Sequence, residues 1–256
     1  MILAIDIGNT TIKIGLLKGK RVTKTYRIET TLKQQDLRRT LKGKINKFKN
    51  YPIKVAAVCS VVPAVTKTVE TVLHKELKIR TYCIGRDIIV PIRNRYKNPK
   101  QVGQDRLVGA FAAMSFYGVP VVVVDFGTAI TFDVVSYQKE YLGGIIVPGI
   151  KLSAESLFRK TALLPKINIE APNTLIGQDT KNSILSGIFY GYGCLCQGLI
   201  DLISQKVKRK PVVVMTGGHT KLMKKYMAER KYIVDEDLVM KGIGLLLEAR
   251  RLPEFS

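Results

Sequence analysis

The chain opens with apolar stretches that a few polar residues punctuate. Ile2 to Ile7 is apolar apart from Asp6, Thr11 to Leu17 forms a second apolar stretch, and Gly8-Asn9 stands between them. This pattern predicts two strands of a hairpin. Gly19-Lys20 predicts another tight turn into a third strand, Val22 to Ile28. From about Thr31 to Phe48 the apolar residues take helical spacing, with basic residues filling the other positions. Val55 to Val62 is a continuous apolar run, typical of a strand buried on both faces. Pro63 then opens a helix to about Leu77, and Thr81 to Ile84 is a short strand. A polar, irregular stretch from Pro91 to Val102 leads to a helix from Leu107 to Phe116.

The second half repeats this plan. It predicts a hairpin around Gly127, a third strand near Tyr141 to Val147, helices, and a buried strand Pro211 to Met215 that ends in Thr216-Gly217-Gly218. A final helix is expected from about Leu238 to Arg250. Hairpins followed by alternating helix and strand predict an α/β protein made of a mixed-sheet unit present twice. No linker separates the halves. The boundary is placed near Gly118, giving domains 1–117 and 118–256. Asp6-Ile7-Gly8-Asn9-Thr10 recurs as Asp125-Phe126-Gly127-Thr128, with Asp6 aligned to Asp125 and Gly8 to Gly127 at the same offset. Two such loops facing one cleft suggest a nucleotide enzyme built by duplication.

Composition narrows the class only slightly. At 256 residues, 46% hydrophobic and 24% charged, the chain has the makeup of a globular protein with ample core. The first apolar run is broken by Asp6 and lacks a basic leader, so no secretory signal is expected and the cytoplasm is the expected location. The stretch Asn182 to Ile200 is uncharged and long enough to span a bilayer, but its glycines, serines, Asn182 and Gln197 point to a buried helix, and no membrane partner is expected. Gly187 and Gly191 on it would permit close helix contact, within the chain or across a dimer. The four cysteines (Cys59, Cys83, Cys194, Cys196) form no disulfide framework or zinc pattern and are expected to be buried free thiols. The net charge of +22 raises the question of a nucleic-acid partner. The basic residues are dispersed, however, with their highest density from Lys33 to Lys49, which favours a solvated helix face over a nucleic-acid site.

The candidate chemistry lies at the loops. Glycine at Gly8 lets the backbone approach a phosphate, Asn9 and Thr10 can donate hydrogen bonds, and Asp6 can orient a hydrated Mg²⁺. Lys13 can add a charge-assisted contact. The competing reading is a hairpin turn with local Asp and Asn chemistry, which the repetition disfavours. In the second loop Thr128 is placed for a phosphate oxygen and Asp125 for a cation, whereas Asp133 in the following strand reads as structural. Thr216-Gly217-Gly218 would leave a flat surface for a base or ribose, or simply make a tight turn. Asp105, before the Leu107 helix, suits either a catalytic acid or an N-cap.

These motifs resemble the phosphate and adenosine motifs of the acetate kinase, sugar kinase, heat-shock protein and actin superfamily. More narrowly, Asp6-Ile7-Gly8-Asn9-Thr10, Gly103-Gln104-Asp105-Arg106, Asp125-Phe126-Gly127-Thr128 and Gly143 to Gly149 together resemble type III pantothenate kinase, over nearly the whole chain. The resemblance implies two actin-like ATPase domains with the active site in the cleft between them. It also implies ATP-dependent phosphorylation of the primary hydroxyl of pantothenate, the first step towards coenzyme A. It assigns ATP binding to Asp6, Ile7, Gly8, Asn9, Thr10, Thr11, Ile12, Lys13 and Thr128, with Mg²⁺ on Asp6 through water. Asp105 would accept the hydroxyl proton. Tyr96, Gly103, Gln104, Asp105, Arg106 and Thr180 would bind substrate, with Arg106 suited to its carboxylate. Asp125 would hold a monovalent cation, K⁺ or NH₄⁺, and the protein would be a homodimer. The alternatives are another small-molecule kinase of the superfamily and a non-catalytic regulatory homologue.

Overall fold

The structure, a computed structural model, describes residues 1–30, 33–227 and 231–250. Its chain forms two compact units, one of Met1–Ser115 with the chain from Asp237 onward, the other of Phe116–Glu236.

The first unit begins with β1 (Ile2–Ile7), β2 (Thr11–Lys18) and β3 (Arg21–Glu29), continues through α1 (Gln34–Asn46), β4 (Val55–Ser60), α2 (Pro63–Leu77), β5 (Arg80–Cys83) and the short β6 (Arg93–Asn94), and leaves through α3 (Gln104–Tyr117). Its sheet order is β3-β2-β1-β4-β5. The β1–β2 and β2–β3 pairs are antiparallel, while β1–β4 and β4–β5 are parallel. The apolar runs explain the centre of the sheet, since β1 and β4 are buried along almost their whole length. The edge strand β3 alternates and carries Arg21, Lys24 and Arg27, which discourages pairing with another sheet. Leu37, Leu41 and Ile45 of α1 pack into the core at a four-residue spacing. The intervening basic residues remain outside, where Lys42 and Lys49 pair with Glu76. This arrangement matches the expected solvated face. The proposed helix start at Thr31 lies outside the described residues.

The second unit contains β7 (Val121–Phe126), β8 (Ala129–Val135), β9 (Glu140–Pro148), α4 (Ile150–Lys160), α5 (Thr180–Lys206), β10 (Val212–Thr216), the single-turn α6 (Thr220–Met223) and β11 (Ile233–Val234). Within it the order is β9-β8-β7-β10-β11, with the β7–β8 and β8–β9 pairs antiparallel and β10 parallel to both β7 and β11. Strand for strand this is the topology of the first unit. The fold is therefore the duplicated mixed-sheet α/β architecture of the actin-like ATPases. The long apolar segment forms α5, whose Leu185, Ile188, Phe189, Cys196 and Ile200 are buried in this unit's core. By length and composition alone this helix could cross a membrane.

The last helix, α7 (Leu238–Ala249), returns to the first unit and packs on β1, β2, β3 and β4. A division at 117/118 assigns this helix to the second domain, whereas its contacts place it in the first. Local patterning could not have shown this. Close approach is possible because glycines face the packing surface: a β-carbon on Gly244 would stand 2.7 Å from Leu17 Cδ2, and one on Gly242 would stand 2.7 Å from Val108 Cγ1. Three of the four cysteines are buried and Cys194 is exposed on α5, which corrects the expectation that all four are buried.

Candidate active site

In the first unit Asp6 is the penultimate residue of β1. It pairs in register with Lys13 on β2 and with Cys59 on β4. Gly8 to Thr11 closes as a tight loop in which the Gly8 amide donates to the Thr11 carbonyl at 3.0 Å. Thr30, at the end of β3, braces the loop twice. Its amide donates to the Thr10 carbonyl at 3.0 Å and its hydroxyl to the Gly8 carbonyl at 2.8 Å. Asn9, Thr10 and Thr11 are left exposed, while Ile7 and Ile12 anchor the loop in the core. The result is a doubly braced turn with exposed polar residues beside a half-buried carboxylate, a form suited to phosphate.

The Gly103-Gln104-Asp105-Arg106 segment is not a loop preceding a helix. α3 already begins at Gln104, which puts Asp105 in its first turn and excludes the N-cap alternative. The Gly103 carbonyl accepts from the Leu107 amide, so the capping position falls to Gly103. The Asp105 carboxylate folds back to accept from the Arg106 amide at 2.8 Å. Only glycine at 103 leaves room for this, because a β-carbon there would stand 2.5 Å from Asp105 Oδ1. Burial raises the Asp105 pKa above the ordinary carboxylate value, against the opposing pull of the Arg106 amide and guanidinium. Cys59 lies near both acids. Its thiol is pushed well up by burial first, then by the charges of Asp6 and Asp105. Asp6 and Asp105, far apart in sequence, thus act on one buried neighbour.

Gln104 supports a second loop. The chain turns at Gly85 with φ +89°, and a β-carbon there would stand 2.7 Å from Gln104 Cδ. Asp87 holds this turn by accepting from the Cys83 amide at 2.8 Å, and Arg86 bonds both Asp87 and Glu70. Tyr96, half-buried in the stretch after β6, donates its amide to Asn94 Oδ1 at 2.9 Å.

In the second unit Asp125 occupies the place on β7 that Asp6 has on β1, but its surroundings differ. The loop between Phe126 and Ile130 is one residue shorter, so Thr131 rather than a lysine stands across from Asp125. Its parallel neighbour is Thr216, in the position of Cys59. Thr216-Gly217-Gly218 closes over the carboxylate: Gly217 has φ +96°, and a β-carbon there would overlap Asp125 Oδ1 and the Phe126 backbone. Thr128 is exposed, and its carbonyl accepts from the Gly149 amide at 3.1 Å. Gly149 ends the glycine-rich β9 segment and caps α4. His219 donates its amide to the Phe126 carbonyl at 3.2 Å, and burial pushes its imidazole pKa down. Thr180 begins α5, exposed, behind Asp179, whose carboxylate caps the helix by accepting from the Asn182 amide. Asp133 is buried and accepts from the Tyr141 hydroxyl at 2.7 Å and from Thr131 at 3.1 Å, a structural arrangement.

Among the described residues no group of three or more His, Cys, Asp or Glu could hold a metal ion. Single carboxylates beside glycine loops suit instead a hydrated divalent ion carried by phosphates, or an ion that completes its shell with backbone oxygens. The residues that sequence reasoning passed over are Thr30, Cys59, the Gly85–Asp87 turn and His219. Their importance lies in register and long-range packing, which leave no local signature.

A family model described as type III pantothenate kinase matches residues 2–202. The chain is 38% identical over 255 residues to a type III pantothenate kinase from Sulfurihydrogenibium, covering 96% of this chain and 99% of the other. It is 42% identical over 248 residues to one from Persephonella marina, covering 95% and 96%. Among solved structures it is similar to a Campylobacter jejuni protein assigned to the Baf family of transcriptional activators, at TM-score 0.60 and 20% identity, covering 97% and 98%. That likeness bears on the fold alone.

Proposed function

The chain belongs to the type III pantothenate kinase family and is a kinase of pantothenate in coenzyme A synthesis, and on that premise we propose the role of each residue. ATP use with a divalent metal goes with the family. Asp105 accepts the proton of the pantothenate primary hydroxyl. As that oxygen bonds to the γ-phosphorus, the bond from phosphorus to the bridging oxygen breaks, ADP leaves, and the proton ends on the Asp105 carboxylate. The observation that carries this reading is the Asp105 carboxylate fixed in the first turn of α3, held by the Arg106 amide in the space that Gly103 leaves; burial raises its pKa, which favours proton acceptance. Arg106 binds the pantothenate carboxylate, and Gly103, Gln104, Tyr96 and Thr180 complete the substrate contacts.

The Asp6–Lys13 segment and Thr128 bind ATP, with the exposed Asn9, Thr10 and Thr11 of the first loop donating to phosphate oxygens. Asp6 orients Mg²⁺ through water and Asp125 holds a monovalent cation. When bound, these ions neutralise charge on the transferring phosphoryl group and beside the second loop. Phosphoryl transfer demands little more of the protein than positioning and charge, which rigid loops supply.

The enzyme acts in the cytoplasm as a homodimer. Along α5, Leu195 and Leu202 are exposed, and Gly187, Gly191 and Gly198 have open space beside them, which supports helix contact with a second copy. A coupled ADP-release assay with pantothenate, with and without K⁺, tests the reading. Pantothenate-dependent turnover that rises with K⁺ and disappears in Asp105→Asn is the expected result. Turnover retained by Asp105→Asn would remove the assigned base.

A further inference from the structure

Lys13 and Asp237 stand 224 residues apart in sequence, yet Lys13 Nζ donates to Asp237 Oδ1 at 2.7 Å. The pair is no ordinary surface contact, because the Lys13 side chain is only 13% exposed and that of Asp237 36%. Lys13 lies across from Asp6 in the β1–β2 register, on the strand just beyond the first loop. Asp237 is the residue at which the chain re-enters the first unit, and it occupies the N-cap position of α7.

Aspartate at an N-cap ordinarily turns its carboxylate to the first free amides of the helix. Asp237 does not: it makes no side-chain cap bond. Its carbonyl still starts the helix by accepting from the Lys241 amide at 2.9 Å, while the carboxylate is turned to Lys13. α7 is itself seated firmly on the sheet, with Gly15 close to Met240 and Gly244 against Leu17. The carboxylate is therefore delivered to Lys13 from a rigid support.

A lysine side chain is long and flexible, and fixing its ammonium costs entropy whenever it engages a ligand. An ammonium carries three donors, so it can be shared between a carboxylate and phosphate oxygens. We propose that Asp237 is a positioning residue for nucleotide binding, which holds the Lys13 ammonium at the first loop before ATP arrives. The inference rests on the reading that Lys13 contacts ATP.

The test compares wild type, Lys13→Ala, Asp237→Ala, Asp237→Glu and the Lys13→Ala/Asp237→Ala double variant in the full-length enzyme. Four quantities are measured: Kd for ATP by calorimetry, KM for ATP, KM for pantothenate, and thermal melting. Asp237→Ala is expected to weaken ATP about three- to tenfold, the range of one charge-assisted contact, and to leave KM for pantothenate in place. Asp237→Glu should recover most of the loss, and the double variant should bind ATP no worse than Lys13→Ala. An equal rise in both KM values with a lowered melting temperature would assign Asp237 a purely structural role and overturn the proposal. So would losses that add in the double variant, or ATP binding unchanged in Asp237→Ala. If Lys13→Ala itself leaves ATP binding unchanged, the ATP contact of Lys13 fails, and the inference fails with it for a reason the other arms keep distinct.

Discussion

Gly217 lies directly against the carboxylate of Asp125, so closely that a β-carbon on it would overlap Oδ1. The contact follows from the parallel β7–β10 pairing, which sets Thr216 beside Asp125 and turns the chain over the acid at the next residue. Gly217 also needs a positive φ of 96°. Gly217→Ala should therefore both strain the turn, by about 1–3 kcal/mol, and displace Asp125. The expected outcome is a lower melting temperature together with a weakened response of kcat to K⁺, read from a K⁺ titration. A full K⁺ response in this variant would separate Asp125 from cation binding.

Gly103 stands in the same relation to Asp105 in the other unit. Gly103→Ala should push the carboxylate away from its position over the start of α3. A displacement near 1 Å at a reacting group can cost about 10²-fold in rate. We expect kcat to fall by about that factor while ATP affinity, measured separately by calorimetry, stays near wild type.

The raised pKa of Asp105 has consequences of opposite sign for activity and stability. Burial favours the protonated form in the folded state. The acid limb of kcat/KM should therefore lie above the ordinary aspartate value of about 4, because the base must be ionised to work. For stability, a carboxyl whose folded pKa is raised contributes fully below its unfolded pKa, and the contribution is lost as pH rises through the folded value. At neutral pH the ionised Asp105 is thus a cost. Asp105→Asn should melt higher than wild type at pH 7, with the difference shrinking as pH falls through the raised folded pKa and gone below about 4, and should lose about 10²- to 10⁴-fold in kcat. A lower melting temperature at pH 7 would contradict the assigned burial effect.

Thiol labelling gives a check independent of catalysis. Burial pushes Cys59 well up and takes Cys196 to about 12. Burial and the hydrogen bond to Glu70 take Cys83 to about 12. Cys194 alone is exposed. An aromatic disulfide reagent at pH 8 should modify one cysteine of the native protein quickly, and all four after denaturation. Rapid native labelling of Cys59 would show that the space between Asp6 and Asp105 is open to the reagent.

Much of this fold was legible in one dimension. The apolar runs of β1, β4, β7 and β10 mark strands buried on both faces, and Pro63 marks the start of α2 to the residue. The repeated Asp-x-Gly loops identify the duplication, and the strand order of the two units bears it out. These features are local: a hydrophobic period, a turn residue or a proline acts within a few positions of itself. The element ends were less visible, as with α3, which starts at Gln104 rather than Leu107 because glycine at 103 lets the acid fold back into the first turn.

The inequality of the two Asp-x-Gly copies is where sequence and tertiary structure divide. The sequence determined that each copy would be a strand, an acid and a glycine turn. Register decided what stands beside each acid: Lys13 and Cys59 flank Asp6, whereas Thr131 and Thr216 flank Asp125, the second loop being one residue shorter. The same is true of Asp237, whose carboxylate reaches Lys13 only because α7 crosses back onto the first sheet. Strand pairing and helix docking bring together residues more than two hundred positions apart, and a one-residue change in a loop changes which side chains meet. Those meetings depend on the whole packed chain, so no window of sequence contains them.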